Sequence, residues 1–412
     1  MQTKLAPEFR DTAEGREAEA ILRKCVHCGF CNATCPTYQL FGDELDGPRG
    51  RIYLIKQMLE GEQPTRKTQL HLDRCLTCRN CESTCPSGVQ YGALADIGRS
   101  IMERKVERGA DSKALRWLLK EGLTSPLFAP AMKLGQAVRP LLPGALKNKV
   151  PVKQDAGRWP TREHARKVLM LVGCVQPAMM PNVNSATARV LDAAGIQTIV
   201  APEAGCCGAV KFHLNDQQGG VTHMRNNIDA WWPWVERNEV EAIVMNASGC
   251  GVMVREYGHH LQHDEAYAAK ARRISELTRD LSELLPDIVA ALRGKVKPSL
   301  GLLAFHPPCT LQHGQQLRGG VEQWLGELGF VVRVARTESH LCCGSAGTYS
   351  VLQPDIAEQL RDRKLGHLGE LAPEAIISAN VGCITHLQSG TATPVKHWVE
   401  VLDAAMVGQS GS

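Results

Sequence analysis

The spacing of apolar residues differs between the beginning of the chain and the rest. Residues 49–60 carry an apolar stripe at helical spacing after Pro48, formed by Ile52, Leu54, Ile55, Met58 and Leu59. Residues 13–24 predict another helix, because acidic residues come early and basic residues late, in agreement with the helix dipole. The first part of the chain is therefore predicted to be helical.

After residue 166 the apolar residues form short runs, which indicate strands. The runs follow one order twice, at 167–173, 196–201 and 241–244 and again at 301–305, 331–335 and 374–377. Helical segments separate the runs in both copies, as expected for a duplicated α/β unit. We therefore predict an α+β multidomain protein in which an all-helical N-terminal module is followed by a duplicated α/β domain.

Two connecting segments complete this division. Residues 111–165 mix apolar residues such as Trp117, Leu127 and Leu134 with basic residues and prolines. Such a segment can pack between domains, or it can lie on an anionic membrane surface. Residues 261–298 are predicted to be a charged helical connector. The predicted units are 1–110, 111–165, 166–260, 261–298 and 299–412.

Composition and charge exclude several classes of protein. The 412 residues carry a formal net charge of +4 without a segregated basic block, which argues against a nucleic-acid partner. The first ten residues contain no apolar run, so no secretory signal is visible, and no stretch is apolar enough to span a bilayer. The 16 cysteines indicate a reducing compartment, so we expect a cytoplasmic protein.

The candidate chemistry lies in a cysteine pattern that occurs twice. The spacing C-x2-C-x2-C-x3-C-P begins once at Cys25 and again at Cys75. Three cysteines at every third position can hold one face of a cubane cluster, and in bacterial ferredoxins the fourth cysteine ligates the other cluster. We therefore predict one [4Fe-4S] cluster on Cys25, Cys28, Cys31 and Cys85, and a second on Cys75, Cys78, Cys81 and Cys35.

Two other interpretations of these cysteines are weaker. Structural zinc sites usually take their ligands in two separated pairs and do not call for a third cysteine close behind. Disulfides are not needed to stabilise a chain that can bury an ordinary core. The helical segment between the motifs resembles the all-helical ferredoxin modules of multisubunit oxidoreductases.

Eight further cysteines occupy matched places in the two α/β copies, namely Cys174, Cys206, Cys207 and Cys250 in the first, and Cys309, Cys342, Cys343 and Cys383 in the second. They follow strand ends, where α/β sheets place ligand sites, and a glycine after each Cys-Cys pair permits a tight turn. We predict metal ligation, by a third iron–sulfur cluster or by zinc, with buried structural thiols as the alternative. His386 is the candidate substitute ligand.

Four stretches carry a resemblance to a known family: CVHCGFC from residue 25, GDELDGPRGR from residue 42, NNIDAWWP from residue 226 and HLCCGSAG from residue 340. Together they resemble the iron–sulfur subunits of glycolate oxidase, also called glycolate dehydrogenase. The α/β copies resemble the wider Cys-Cys-Gly family of heterodisulfide-reductase-like subunits. In that wider family the last ligand element is C-x-x-C, but here Met253 and His386 replace its second cysteine. This departure argues against a five-thiolate noncubane cluster.

The resemblance implies a division of labour between subunits. An FAD-binding partner would oxidise glycolate to glyoxylate, and this chain would carry the electrons towards a membrane quinone at the cytoplasmic face of the inner membrane. The chain has no dinucleotide-binding fingerprint, P-loop or nucleophile elbow, so no catalytic residue is predicted. The alternatives are a subunit of a lactate, glycerol-3-phosphate or heterodisulfide oxidoreductase, and a zinc-bound assembly scaffold.

Overall fold

The computed structural model describes residues 1–144 and 150–407. Every element within residues 1–144 is helical. The α-helices there are Pro7–Arg10, Ala13–Lys24, Phe30–Ala33, Pro36–Phe41, Pro48–Leu59, Arg66–Asp73, Asn80–Thr84, Tyr91–Lys105, Ala110–Thr124 and Phe128–Ala137. Two 3₁₀ turns cover Glu44–Asp46 and Arg139–Leu141. The helices predicted over 13–24 and 49–60 are thus confirmed.

Local chemistry explains where these helices begin and how they pack. Ala13–Lys24 begins after Thr12, whose Oγ1 accepts a hydrogen bond from the Gly15 amide at 2.9 Å. Pro48–Leu59 begins at its proline and packs on Tyr91–Lys105. A Cβ atom at Gly98 would lie 2.5 Å from a side-chain carbon of Ile55, so glycine allows these two helices to approach closely.

The first α/β unit contains four strands, β1 Arg166–Met170, β2 Ile196–Ile199, β3 Ala242–Met245 and β4 Thr278–Asp280. Its α-helices are Gln176–Met179, Pro181–Ala193, Ala209–His213, Gln217–Glu236, Ser248–Arg255, Tyr257–His260 and Ala268–Leu277. A 3₁₀ turn, Leu281–Leu284, and a helix, Leu285–Leu292, follow and lead to the second unit.

The second unit repeats this arrangement with β5 Leu302–His306, β6 Val331–Val334, β7 Ala375–Ser378 and β8 Val395–His397. A π-helical turn covers Thr310–Gly314, and the α-helices are Gly320–Glu327, Tyr349–Leu352, Pro354–Gly369, Val381–Gln388 and Trp398–Ala405. The strand orders are β2-β1-β3-β4 and β6-β5-β7-β8, and all pairings are parallel. One apolar core, which includes Val168, Val190, Leu303, Phe305 and Trp398, joins the two units.

The fourth strand of the first sheet lies where the sequence predicts only a helical connector. Residues 278–280 of the segment 261–298 form β4, which pairs with β3. The strand is only three residues long and contains Arg279 and Asp280, so it shows no apolar run. Its partner strand is supplied by the tertiary fold, and this is why periodicity did not reveal it.

The segment 111–165 leaves several large apolar side chains in solvent. They are Trp117, Leu118, Leu127, Leu134 and Leu141, whose exposed fractions range from 58% for Leu118 to 85% for Leu141. The helix Ala110–Thr124 buries none of its residues. Residues 145–149 of this segment and residues 408–412 of the second copy lie outside the described residues. None of the helices that are described is both long and apolar enough to cross a bilayer.

Candidate iron–sulfur and metal centres

The first cavity of interest lies between the two cysteine motifs. Its lining includes five cysteines, which are Cys25, Cys28, Cys31, Cys81 and Cys85. Cys28 is exposed, so this cavity opens to solvent, and the neighbouring Val26 and Phe30 are exposed as well. Three cysteines of the first motif therefore share a cavity with Cys85, the last cysteine of the second motif.

The second cavity is lined by three cysteines of the second motif and by the last cysteine of the first. Its lining includes Cys35, the last cysteine of the first motif, together with Cys75, Cys78 and Cys81 of the second. Cys75 and Cys81 are each only 8% exposed. The Tyr91 hydroxyl donates a hydrogen bond to Cys75 Sγ over 3.6 Å. This cavity is therefore more enclosed by protein than the first.

The backbones of the two motifs follow the same unusual path. The first motif has positive φ angles at His27 (57°) and Gly29 (85°), and the second has them at Thr77 (53°) and Arg79 (58°). These are matched positions, on either side of the second cysteine of each motif. Non-glycine residues rarely adopt such angles. The sequence spacing therefore produces two equivalent loops, each wrapped around the edge of its cavity.

Buried cations stand beside the second cavity. Arg51 is 1% exposed and donates hydrogen bonds to Thr37 Oγ1 at 3.1 Å and to the His71 carbonyl at 2.7 Å. Burial by itself would raise the pKa of the Cys75 thiol, but the positive charges of Arg51 and Arg99 outweigh this effect and the pKa is lowered. Because thiolates bind iron, these arginines favour the ligating form of Cys75.

The first cavity differs in its electrostatics. Burial and the neighbouring Cys25 raise the pKa of Cys31 to about 11. A thiol with a raised pKa must lose its proton when it binds a metal. Both cavities nonetheless offer what a [4Fe-4S] cluster requires, which is a set of four thiols converging from two segments of chain. The residues present fit the predicted clusters.

The second cavity adjoins the thiols of the second α/β unit. Leu76 and Cys78 pack in one apolar cluster with Cys309, Cys342 and Tyr349. Three hydrogen bonds cross this contact: Tyr349 OH to the Arg74 carbonyl at 2.9 Å, Asn80 Nδ2 to the His340 carbonyl at 3.3 Å, and a 2.9 Å bond between Ser83 Oγ and His313 Nδ1. The twin motif and the second unit are thus held together beside two sets of cysteines.

The four thiols of the first unit lie close enough together to perturb one another's pKa values. The neighbouring thiols of Cys174 and Cys207 lower the pKa of Cys206 to about 3. Asn227 Nδ2 donates to the Cys206 carbonyl at 2.8 Å, and Tyr257 OH donates to the Cys207 carbonyl at 2.9 Å. These bonds hold the Cys-Cys turn at the carboxyl end of the sheet.

The thiols of the second unit form a comparable group. Cys309 Sγ lies 3.8 Å from Cys342 Sγ, Cys343 follows Cys342 in the turn, and the sulfurs of Cys343 and Cys383 lie within 4.8 Å of each other. The structure therefore brings together each predicted set of four. His386, the candidate substitute ligand, has its Nε2 3.0 Å from the Ala357 carbonyl.

Sequence reasoning missed the histidine that does stand among these thiols. A ring nitrogen of His306 and the sulfurs of Cys343 and Cys383 all lie within 4.8 Å of one another. The sequence signal was weak, because His306 lies three residues before Cys309 without a recognised metal-binding spacing. Only the pairing of β5 with β7 brings it close to Cys383.

These features define a class of protein, an iron–sulfur subunit in which a dicluster module precedes a duplicated cysteine-rich domain. Residues 21–89 match the family model of the 4Fe-4S dicluster domain. Residues 168–255 and 303–388 each match the model of the cysteine-rich domain. Iron–sulfur binding and the duplication are thus both supported by independent family matches.

The chain belongs to the family of glycolate oxidase iron–sulfur subunits. It is 55% identical to the glycolate oxidase iron–sulfur subunit of Escherichia coli K12 over 98% of this chain and 99% of the relative. It is 27% identical to the probable glycolate oxidase iron–sulfur subunit of Bacillus subtilis 168, covering 93% of this chain and 91% of that one. Lactate utilization protein A of Geobacillus kaustophilus is 26% identical over 58% of this chain and 99% of its own length. The resemblance noted in the sequence is confirmed.

Proposed function

We propose that this chain carries electrons within a complex that oxidises glycolate to glyoxylate. An FAD-binding partner subunit would perform the oxidation, and a membrane quinone would be the final acceptor. The observation that carries the proposal is the composition of the two thiol cavities, each of which combines three cysteines of one motif with the last cysteine of the other. The substrate is inferred from the name of the Escherichia coli relative.

The proposed ligand sets are Cys25, Cys28, Cys31 and Cys85 for one cluster and Cys75, Cys78, Cys81 and Cys35 for the other. Bound clusters of this type accept and release single electrons. The protein contributes the thiolates, the buried Arg51 that offsets their negative charge, and the enclosing apolar residues. The crossed ligand sets hold the two motifs in a fixed relation, which keeps the distance between the redox centres constant.

The direction of transfer is proposed from exposure and contacts. The first cavity opens to solvent at Cys28, where a partner subunit can approach. The second cavity is enclosed and adjoins Cys309 and Cys342 of the second unit. We therefore place electron exchange with another subunit at the first cavity, and the second cavity is the enclosed centre of the pair.

Cysteine replacement tests the ligand sets. Cys85→Ser should alter the EPR signal of the cluster held by Cys25, Cys28 and Cys31 and leave the other signal unchanged. Cys35→Ser, the matched control, should have the reverse effect. Loss of only the signal of the Cys75 triplet in the Cys85→Ser variant would contradict the crossed assignment.

Metal analysis and an activity assay test the function itself. The purified chain should contain about eight iron and about eight acid-labile sulfide per molecule. Affinity isolation from native membranes should recover a flavoprotein, and the isolate should reduce a dye with glycolate and not with lactate or glycerol 3-phosphate. Zinc without sulfide would instead favour an assembly scaffold, and preference for lactate would favour the lactate-utilisation alternative.

We also propose that the exposed apolar residues of segment 111–165 contact the cytoplasmic face of the membrane. Leu127 and Leu134 are 73% and 66% exposed, and basic residues accompany them in the sequence. A Leu127→Glu, Leu134→Glu double variant should lose salt-sensitive binding to anionic vesicles. Val331→Glu replaces an exposed apolar residue on β6 and serves as the control. Equal vesicle binding by the double variant and the unmodified chain would exclude this contact.

A further inference from the structure

The second cysteine-rich unit contains a buried histidine with no hydrogen-bonding partner. His306 is 1% exposed, and neither of its ring nitrogens has a hydrogen-bond partner. Leaving a buried polar group without a hydrogen-bond partner destabilises the folded state. Such a residue requires an explanation, and one of its ring nitrogens lies within 4.8 Å of the sulfurs of both Cys343 and Cys383.

The equivalent position in the first unit is apolar. Met170 pairs with Val244, the third residue of β3, and Phe305 pairs with Ile377, the third residue of β7. The residues that follow, Leu171 and His306, therefore occupy matching places. Both are buried at the end of the first strand of their sheet. The histidine is thus a feature of the second unit and is not required by the fold.

A second buried difference concerns charge. Lys364 is 2% exposed, and its ammonium donates to the carbonyls of Glu338 and Ser339. Its counterpart is Asn227, because each lies two helical turns after the residue that faces the glycine of the Cys-Cys-Gly turn, Ala357 in the second unit and Gly220 in the first. Only the second unit therefore places a buried cation where thiolate charge would accumulate.

The distances between possible metal-ligand atoms distinguish the group of His306, Cys343 and Cys383 from the cysteines of the twin motif. In tetrahedral zinc sites, with Zn–S near ~2.3 Å and Zn–N near ~2.0 Å, the ligand atoms lie roughly 3.5–4 Å apart. The ligand atoms of His306, Cys343 and Cys383 approach that spacing, and Cys342 adjoins Cys343 in the Cys-Cys turn. Among residues 1–144 and 150–407, no three sulfurs of the twin motif lie within 4.8 Å of one another.

We propose that His306, Cys343 and Cys383, with Cys342 as the fourth ligand, bind one zinc ion in the second unit. This is a Cys₃His donor set of the kind that structural zinc sites use. Three thiolates and one Zn²⁺ leave a net charge of −1, which the ammonium of Lys364 offsets. The first unit, with Leu171 and Asn227 in the corresponding places, does not form this site. The proposal does not depend on the electron-transfer function.

Metal content of variants tests the proposal. The full-length chain should contain about one zinc in addition to its cluster iron. His306→Leu, which installs the residue of the first unit, should lose that zinc, and Cys343→Ser should lose it as well. Cys207→Ser, the counterpart in the first unit, should retain it. Far-UV circular dichroism and the visible iron–sulfur absorption serve as folding controls.

Cobalt substitution provides a second readout that survives a folding defect in His306→Leu. With Co²⁺ alone as the probe, the unmodified chain should show thiolate-to-cobalt charge-transfer absorption. His306→Cys should keep a metal ion and intensify this absorption, because it adds a thiolate. Equal zinc content in the unmodified chain and His306→Leu, an unchanged cobalt spectrum in His306→Cys, or extra iron and sulfide in place of zinc would overturn the proposal.

Discussion

The two cysteine-rich units have the same strand order and four thiols in matched places, but they differ at several buried positions. His306, Lys364 and His397 in the second unit correspond to Leu171, Asn227 and Asp280 in the first. The fold is maintained because apolar packing and strand pairing are retained in both copies. The comparison shows that one architecture accommodates different buried polar residues in its two copies.

The surroundings of the two units differ as well. The second unit places Cys309 and Cys342 in the same apolar cluster as Cys78 of the twin motif. The first unit contacts the twin motif through ion pairs, of which Arg79 with Glu256 and Asp96 with His213 are examples. Cys207 and Cys250 of the first unit belong to a different apolar cluster, together with Trp231 and Tyr257. Of the described residues of the two units, only those of the second therefore pack cysteines beside the second cavity.

The largest expected difference between the units is the sign of their pH dependence. His397 and Asp280 each end the fourth strand and cap the helical turn that follows. Burial lowers the pKa of His397 from 6.5 to about 3. As the pH falls through this range, the unfolded chain gains a proton that the folded chain excludes. The second unit should therefore lose up to about 5 kcal/mol of stability.

Asp280 acts in the opposite direction. Burial raises the pKa of Asp280 from 3.8 to about 6, although hydrogen bonds from Ser282 act against this change. As the pH rises from 3.8 to about 6, the unfolded chain releases a proton that the folded chain retains. The first unit should therefore lose up to about 3 kcal/mol of stability over that interval.

Amide hydrogen exchange can measure both effects, since β3 and β7 report the two units separately. Protection of β7 should rise between pH 4 and pH 6, while protection of β3 should fall. His397→Asn should remove the first dependence and Asp280→Asn the second. If protection of β3 and β7 changed in the same direction with pH, the opposite pH dependences expected from His397 and Asp280 would be contradicted.

A smaller effect is expected at the glycines of the two Cys-Cys-Gly turns. A Cβ atom at Gly344 would lie 2.4 Å from the Ala357 carbonyl oxygen, and one at Gly208 would lie 2.8 Å from that of Gly220. Both glycines also have positive φ angles, of 88° and 93°. Gly344→Ala should lower the free energy of unfolding by about 3 kcal/mol or more, and Gly208→Ala by somewhat less.

Gly319→Ala provides the matched control. Gly319 has a φ angle of 77°, but its Cβ would meet no atom within 4 Å. Its replacement should cost only the backbone strain, about 1–2 kcal/mol. Denaturant unfolding of the three variants measures how much unfolding free energy each one loses. Equal losses for Gly344→Ala and Gly319→Ala would show that close approach to the Ala357 carbonyl does not constrain the turn.

The smallest effect is expected when a buried tyrosine of either unit, Tyr349 in the second or Tyr257 in the first, is replaced by phenylalanine. Tyr349→Phe removes one hydrogen bond to the Arg74 carbonyl, at a cost of about 1 kcal/mol. Because that bond joins the second unit to the second cavity, the variant should also shift the EPR signal of the Cys75-triplet cluster. Tyr257→Phe removes a bond to Cys207 inside the first unit and should leave both cluster signals unchanged. A changed EPR signal of the Cys75-triplet cluster in Tyr257→Phe, with no change in Tyr349→Phe, would contradict the expected influence of the second unit on that cluster.

Local patterns in the sequence predicted much of the architecture. The strands β1, β2, β3, β5, β6 and β7 lie within or next to the predicted apolar runs. The central strands β1, β3, β5 and β7 are mostly buried, and strands buried on both faces need apolar side chains. The short strands β4 and β8 were missed. Residues Thr278–Asp280 and Val395–His397 each contain a charged residue, and their strand conformation depends on pairing with β3 and β7.

In the candidate centres, too, some features follow from the local sequence and others depend on the tertiary structure. The cysteine spacing by itself determined the paired loops around His27 and Thr77, since ligand separation along the chain is a local property. Spacing also predicted which cysteines form each set of four, and the cavities bring those residues together. It did not identify His306, because proximity between His306 and Cys383 arises only when β5 pairs with β7.

The sequence by itself thus determined the family, the twin motif and the duplication, all of which depend on residue type and on distance along the chain. The tertiary structure alone decided that the second unit adjoins the second cavity, that β4 and β8 complete the sheets, and that His306 faces the thiols in place of His386. The physical reason is that these features depend on contacts between distant segments. The free energy of such contacts is set by shared burial and strand pairing, which no single stretch of sequence contains.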